Sequence, residues 1–148
     1  MASKIKLNEV VLQSPNGLVE KSISIGDDGV VKIDGKEKAN KAQSSYISPI
    51  LLNSWVNFGS PFENVGYFKD DFGFVHFKGM IKSGTTTDGT GLFQLPSGYF
   101  KSGVVTYIPV YSADALGGII ITSTGLVTIH QGSNVWLSLD NVSFYVGL

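Results

Sequence analysis

The sequence predicts an all-β fold: an antiparallel β-sandwich of jelly-roll type, preceded by a short β-hairpin segment for attachment or trimerisation. Three observations carry that expectation. From residue 46 onward, short runs of alternating apolar and polar residues recur roughly every ten residues between Gly, Pro, Asn and Asp, the spacing of strands and turns in a sandwich. No stretch there shows the apolar period of an amphipathic helix. All 17 Phe, Tyr and Trp residues lie in 46–148, with 10 of the 23 charged side chains, so this segment alone carries the large side chains that close a core.

Two regions follow from that composition. Residues 1–45 hold the other 13 charges and no aromatic ring, and are expected to be an attachment or shaft/trimerisation segment whose apolar faces need partners. Within it Ser22-Ile23-Ser24-Ile25 alternates, Gly26-Asp27-Asp28-Gly29 has turn chemistry, and Val31-Lys32-Ile33 alternates again, which predicts one hairpin. Residues 36–43 are polar with helix formers and read as a linker or a short helix. Residues 46–148 form the expected sandwich, with strands at 65–69, 74–82, 91–95, 104–111, 118–123, 126–131, 135–139 and 142–146.

Hairpin registers can be drawn from turn lengths. If Asp140-Asn141 is a two-residue turn, Leu139, Leu137 and Val135 face Val142, Phe144 and Val146 on the core side. The other side then sets Trp136 opposite Tyr145 and Ser138 opposite Ser143, because successive side chains alternate across a sheet. With Gly132-Ser133-Asn134 as a loop, His130 falls opposite Trp136 and Thr128 opposite Ser138. The row His130, Trp136 and Tyr145, with Ser138 and Asn134 beside it, is therefore a candidate ligand platform or subunit contact. With Asp70 to Gly73 as a four-residue turn, Phe68 faces Val75 inward and Tyr67 sits opposite His76 on the outer side, a second candidate surface pair.

Composition excludes several classes. With no cysteine and only His76 and His130, no metal centre and no cofactor are expected. A net charge of −1 without a single arginine argues against nucleic acid. The apolar runs are too short to cross a bilayer, and the start, MASKIKLNEVV, lacks the apolar core of a secretory signal, so no membrane partner is expected. Neither histidine lies in a nucleophile-elbow context. Asp70, Asp71, Asp88, Asp114 and Asp140 all fall at expected turns, where aspartate has a local backbone reason to occur. Residues 84–91 are glycine-rich but lack the lysine and helix of a phosphate loop. The chain is accordingly expected not to be an enzyme.

VGYFKDDFGFVHFKGMIKSG at 65–84, LFQLPSGY at 92–99 and QGSNVWLSLDNVSF at 131–144 together resemble the carboxy-terminal head domain of tail fibre and receptor-binding proteins from phages of Gram-positive bacteria. The resemblance covers about residues 53–146. It implies a homotrimeric β-sandwich at the tail tip of the virion, made in the host cytoplasm. Such a module works with other phage tail proteins and binds a host cell-surface polysaccharide or teichoic acid without cleaving it. Two alternatives stay open: a structural tail subunit with no receptor contact, and a polysaccharide-degrading tail enzyme.

Overall fold

The computed structural model describes residues 45–147 in full, and the backbone of four strands before them. The chain divides into two compact units, Met1–Gln43 and Ser44–Leu148. In the first, β1 (Glu9–Gln13), β2 (Glu20–Ile25), β3 (Val31–Ile33) and β4 (Lys36–Glu37) form an antiparallel sheet in that order. The expected hairpin is there, with Ile23 opposite Ile33 and Ile25 opposite Val31. Its predicted turn at 26–29 lies outside the described residues. Lys36–Glu37 pairs with β3 rather than forming a linker or helix; the rest of 36–43 is also outside the described residues.

The second unit contains β5 (Val56–Asn57), β6 (Gly66–Lys69), β7 (Phe74–Lys78), β8 (Met80–Lys82), β9 (Gly91–Gln94), β10 (Thr106–Ser112), β11 (Ala115–Ile121), β12 (Leu126–Gln131), β13 (Leu137–Ser138) and β14 (Ser143–Tyr145). They build two antiparallel sheets, one of seven strands in the order β5-β8-β13-β10-β11-β12-β9 and one of three in the order β14-β7-β6. No helix occurs among the described residues, and the fold is the all-β sandwich that the alternation predicts. β10 and β11 form its longest hairpin, closed by Ala113 and Asp114, both at positive φ, as a two-residue turn that matches strand twist requires.

Two expected elements are drawn differently, for one reason. The run 74–82 is not one strand but breaks at Gly79, and 135–146 is not a hairpin. Strands β7-β8 and β13-β14 instead run antiparallel side by side and cross together from one sheet to the other. On the seven-stranded side Leu137 faces Ile81 and Ser138 faces Met80; on the three-stranded side Ser143 faces His76 and Tyr145 faces Phe74. At the corner, Gly79 N–H donates to Asp140 Oδ1 at 2.6 Å and Leu139 N–H donates to the Gly79 carbonyl at 2.8 Å. Gly79 has a φ of 97°, and a Cβ there would lie 2.6 Å from the Asn64 carbonyl, so only glycine fits.

The core lies between the sheets. Tyr67, Val75, Phe77 and Phe144 from the small sheet meet Leu92, Phe93, Ile119, Ile129 and Leu137 from the large one. Phe77 is its hub, with ring centroids 5.4 Å from both Phe93 and Phe144. Trp55 is 2% exposed and lies over Gly84, where any side chain would overlap the indole; its own N–H has no partner. The buried Tyr67 phenol is held above its ordinary pKa by desolvation first and by Tyr99 second, so it stays neutral at working pH.

Gly79→Ala is expected to destabilise the second unit by about 2 kcal/mol or more, since it combines a left-handed backbone with a backbone clash. The denaturant midpoint should fall with an unchanged slope.

Candidate functional site

The candidate residues do not form one row. Because β13 and β14 lie in different sheets, Trp136 and Tyr145 are not opposite each other; nor are His130 and Trp136, because β10 and β11 stand between β12 and β13 in the large sheet. The expected hairpin does not form because the Gly79 corner requires β13 and β14 to part at Asp140-Asn141. The pair of Tyr67 with His76 also dissolves. Tyr67 faces Phe77 and is 5% exposed in the core, while His76 faces Phe68.

That flip has a local cause. Asp70 N–H donates to the Phe74 carbonyl at 2.9 Å, and Asp70 Oδ1 accepts from the N–H groups of Phe72 and Phe74, each at 2.9 Å. The turn therefore encloses three residues, Asp71 to Gly73, rather than four, with Gly73 at φ 87°. One residue fewer in the turn shifts the register by one, so Tyr67 and Phe68 of β6 exchange faces while Val75 and His76 of β7 keep theirs. Tyr67, Val75 and Phe77 point inward; Phe68, Asp70, Phe74, His76 and Lys78 point outward.

The outer face of the three-stranded sheet is thus a continuous line of rings. Tyr145 lies 5.3 Å from Phe74, Phe74 lies 6.5 Å from His76, His76 stacks on Phe68 at 4.7 Å, and Phe68 meets Tyr46 edge-on at 4.8 Å. The Lys78 ammonium caps Tyr46 at 4.6 Å from the ring centre and pairs with Glu63 at 3.1 Å. Phe74, Tyr145 and the neighbouring Phe72 are exposed. Polar groups interleave with the rings: His76 Nε2 is 3.0 Å from Asp70 Oδ2, and the Ser143 hydroxyl is 3.1 Å from His76 Nδ1. The carboxylate can only accept in this contact, so a neutral imidazole carries its proton on Nε2 and receives the Ser143 hydroxyl proton at Nδ1.

A groove of about 740 Å³ opens beside this line, lined by Tyr46, Glu63, His76, Lys78, Asp140 and Ser143 among others. Residues Asp140 to Ser143 separate it from a second hollow of about 430 Å³ against β10. Asp140 is fixed there, since it also accepts from the Ser138 hydroxyl at 3.3 Å while Ser138 Oγ accepts from Asp140 N–H at 3.2 Å. Its position follows from the crossover, which no local sequence signal displays.

The other predicted residues belong to the seven-stranded sheet. Half-buried Trp136 lies 5.4 Å from Tyr111, and exposed His130 meets the Tyr107 ring edge-on at 5.7 Å and Asp88 at 3.0 Å. Tyr107, Tyr111, Leu116 and Val135 stay exposed around them. The Asn134 carbonyl accepts from Ser83 N–H at 2.7 Å and ties that edge to β8. Asp70, Tyr46 and Lys78 are members of the first face that pattern reading missed, and Phe68 is one that the expected register had turned inward. Aspartate at a turn has a sufficient local explanation, and Tyr46 precedes the first strand of its unit.

Hydrogen bonding from His76, then from the Phe74 and Phe72 amides, holds the Asp70 carboxyl below its ordinary pKa. A carboxyl lowered by folding contributes stability above its unfolded value and loses it as pH falls through the lowered one. In a carbon-13 NMR titration the Asp70 carboxyl should change state below the normal aspartate range, and His76→Ala should return it toward that range. A normal midpoint in the unsubstituted protein would contradict the contact.

No family model matches the chain, and no curated protein matches it in sequence. Among solved structures it is similar to the receptor binding protein (gp15) of Listeria phage PSA. The likeness covers 72% of this chain and 67% of that one at 18% identity, with a TM-score of 0.52. At that identity what the two share is the fold.

Proposed function

We propose that the chain is a receptor-binding module at the tail tip of a phage of Gram-positive bacteria, attaching the virion to a host cell-wall polysaccharide or teichoic acid. One observation carries this reading: the line Tyr145, Phe74, His76, Phe68 and Tyr46 beside a polar groove. The exposed rings of Tyr145, Phe74 and Tyr46, backed by buried Phe68, cover the C–H faces of a sugar, while the Asp140 carboxylate, the Asn141 amide and Lys78 offer partners to its hydroxyls. The fold shared with a phage receptor binding protein and the three ordered sequence blocks support it.

The apolar face around Tyr107, Tyr111, Leu116 and Val135 is the subunit contact of a homotrimer in this reading, because exposed aromatic patches of that kind mark interfaces. Three weak sites per trimer, repeated on one particle, then give firm attachment. Other tail proteins hold the trimer on the particle.

Two measurements test the proposal. The native mass should be three times the 15.9 kDa of one chain, and Tyr107→Asp with Tyr111→Asp should release folded monomer. Retention on purified Gram-positive cell walls should fall by roughly tenfold or more for the Phe74→Ala, Tyr145→Ala pair, as loss at each of three linked sites multiplies. Since both rings are exposed, each change should cost under about 1 kcal/mol of stability. A folded trimer that ignores every wall preparation would leave a purely structural tail subunit as the surviving reading.

A further inference from the structure

We propose that Ser143, His76 and Asp70 form a catalytic relay that cleaves short O-acyl esters carried on a polyhydroxylated compound. The three side chains stand in line on the outer face of the small sheet, Ser143 Oγ at 3.1 Å from one imidazole nitrogen and Asp70 Oδ2 at 3.0 Å from the other. Each has what its role requires. The free oxygen of Asp70 is pinned by two turn amides, so the carboxylate is aimed by the backbone. Phe68 stacks against the imidazole with 19° between the planes and sets the ring orientation. Ser143 is exposed and lines the groove, where a substrate can reach it.

The nitrogens are used in the reverse of the familiar serine-hydrolase order, with Nδ1 toward the serine and Nε2 toward the carboxylate. Either nitrogen of an imidazole can take the proton, so the chemistry is unchanged. The molecule supplies its own contrast. His130 and Asp88 are likewise 3.0 Å apart, but the neighbour on that histidine is the Tyr107 ring, and among the described residues no hydroxyl bonds to the pair.

Donors for a developing oxyanion are at hand. Strand β14 is the edge of its sheet and pairs on one side only. The ladder bonds flanking Ser143 come from the neighbouring pair, with Phe77 N–H donating to the Val142 carbonyl at 2.9 Å. Ser143 and His76 are therefore a non-hydrogen-bonded pair, and Ser143 N–H points out from the free edge. The Asn141 carboxamide lines the same groove and has no hydrogen-bond partner among the described residues. These two groups are the donors for the tetrahedral intermediate.

In the first half-reaction Ser143 Oγ bonds to the acyl carbon as its proton moves to Nδ1. The bond to the substrate alcohol then breaks, and that alcohol leaves with the Nδ1 proton. In the second, water adds to the acyl-serine carbon, giving its proton to Nδ1. Ser143 Oγ then leaves, recovers that proton and releases the carboxylic acid. Water is the only co-reactant. The site is an open groove rather than a closed cleft, which suits an ester, whose leaving group needs little assistance, over an amide. Its polar lining of Lys78, Glu63 and Asp140 suits an acyl group borne on a polyol.

The test uses the full chain with p-nitrophenyl acetate and with a biotinylated fluorophosphonate. Expected are a phosphonyl adduct on Ser143, located by peptide mass spectrometry, and ester turnover that falls by roughly a hundredfold or more in Ser143→Ala, the range for loss of a nucleophile–base pair. His76→Ala should lose both signals, and added imidazole should restore turnover and the phosphonyl adduct above the level imidazole gives with the Ser143→Ala, His76→Ala double variant, which a merely structural histidine would not allow. Asp70, a positioning residue, should affect kcat more than KM when changed to Asn. Circular dichroism of Ser143→Ala, a change at an exposed edge residue, verifies the fold. Equal turnover by the protein and Ser143→Ala, with no adduct at Ser143, overturns the proposal. Retention on cell walls is a separate readout, so failure of the relay and failure of the attachment reading are told apart.

Discussion

The rest of this domain depends on the corner at which Gly79 meets Asp140. A sandwich must carry chain from one layer to the other, and a strand can do so only by giving up its ladder for a residue or two. Here two neighbouring strands turn together, and the carboxylate of one takes the amide that the other would leave unpaired. The bond spans 61 residues of sequence and joins the middle of the domain to its end. Without it, a buried amide would face no partner, a cost of about 1–3 kcal/mol. The same bend places Ser143 across from His76, sets Asp140 on the ridge between two hollows, and separates Trp136 from Tyr145. Site and fold thus rest on one glycine.

How much was legible follows from how far each decision reaches along the chain. Strands such as Gly91–Gln94 and Leu126–Gln131 are announced by their own short apolar runs between turn residues, whereas the turn at Ala113-Asp114 takes a left-handed alanine that local preference does not favour. Pairing is another matter. Whether Leu137 faces Phe144 or Ile81 is decided at Gly79, far outside any window that contains Leu137. The faces of Tyr67 and Phe68 turned on a single residue, because Asp70 captures two amides and closes a loop of three. Aspartate before a phenylalanine signals a turn, but its length appears only once the carboxylate is seen to reach both Phe72 and Phe74. Ser143 and His76, 67 residues apart, could be read as neighbours only after the crossover was known.

The two sheets present aromatic faces of different character. Around Tyr107, Tyr111 and Leu116 the surface is broad, with both rings on β10, Leu116 of β11 opposite Tyr111, and the His130–Asp88 pair at its Tyr107 end alone. On the small sheet the rings run in file, with a carboxylate, an imidazole and an ammonium interleaved. Area without charge favours a protein partner, whereas rings alternating with hydrogen-bonding groups favour a hydroxylated ligand. This difference, rather than the mere number of exposed rings, separates assembly from recognition in the reading advanced above.

The two tryptophans give this molecule a pair of built-in optical probes. Trp55, sealed over Gly84 and away from water, emits as an indole in a dry environment and reports only on unfolding. Trp136, half-covered beside Tyr111, emits from the wet side of the large sheet. Its colour and quenching therefore follow whatever comes to lie against that sheet, and the two signals can be told apart in a single spectrum.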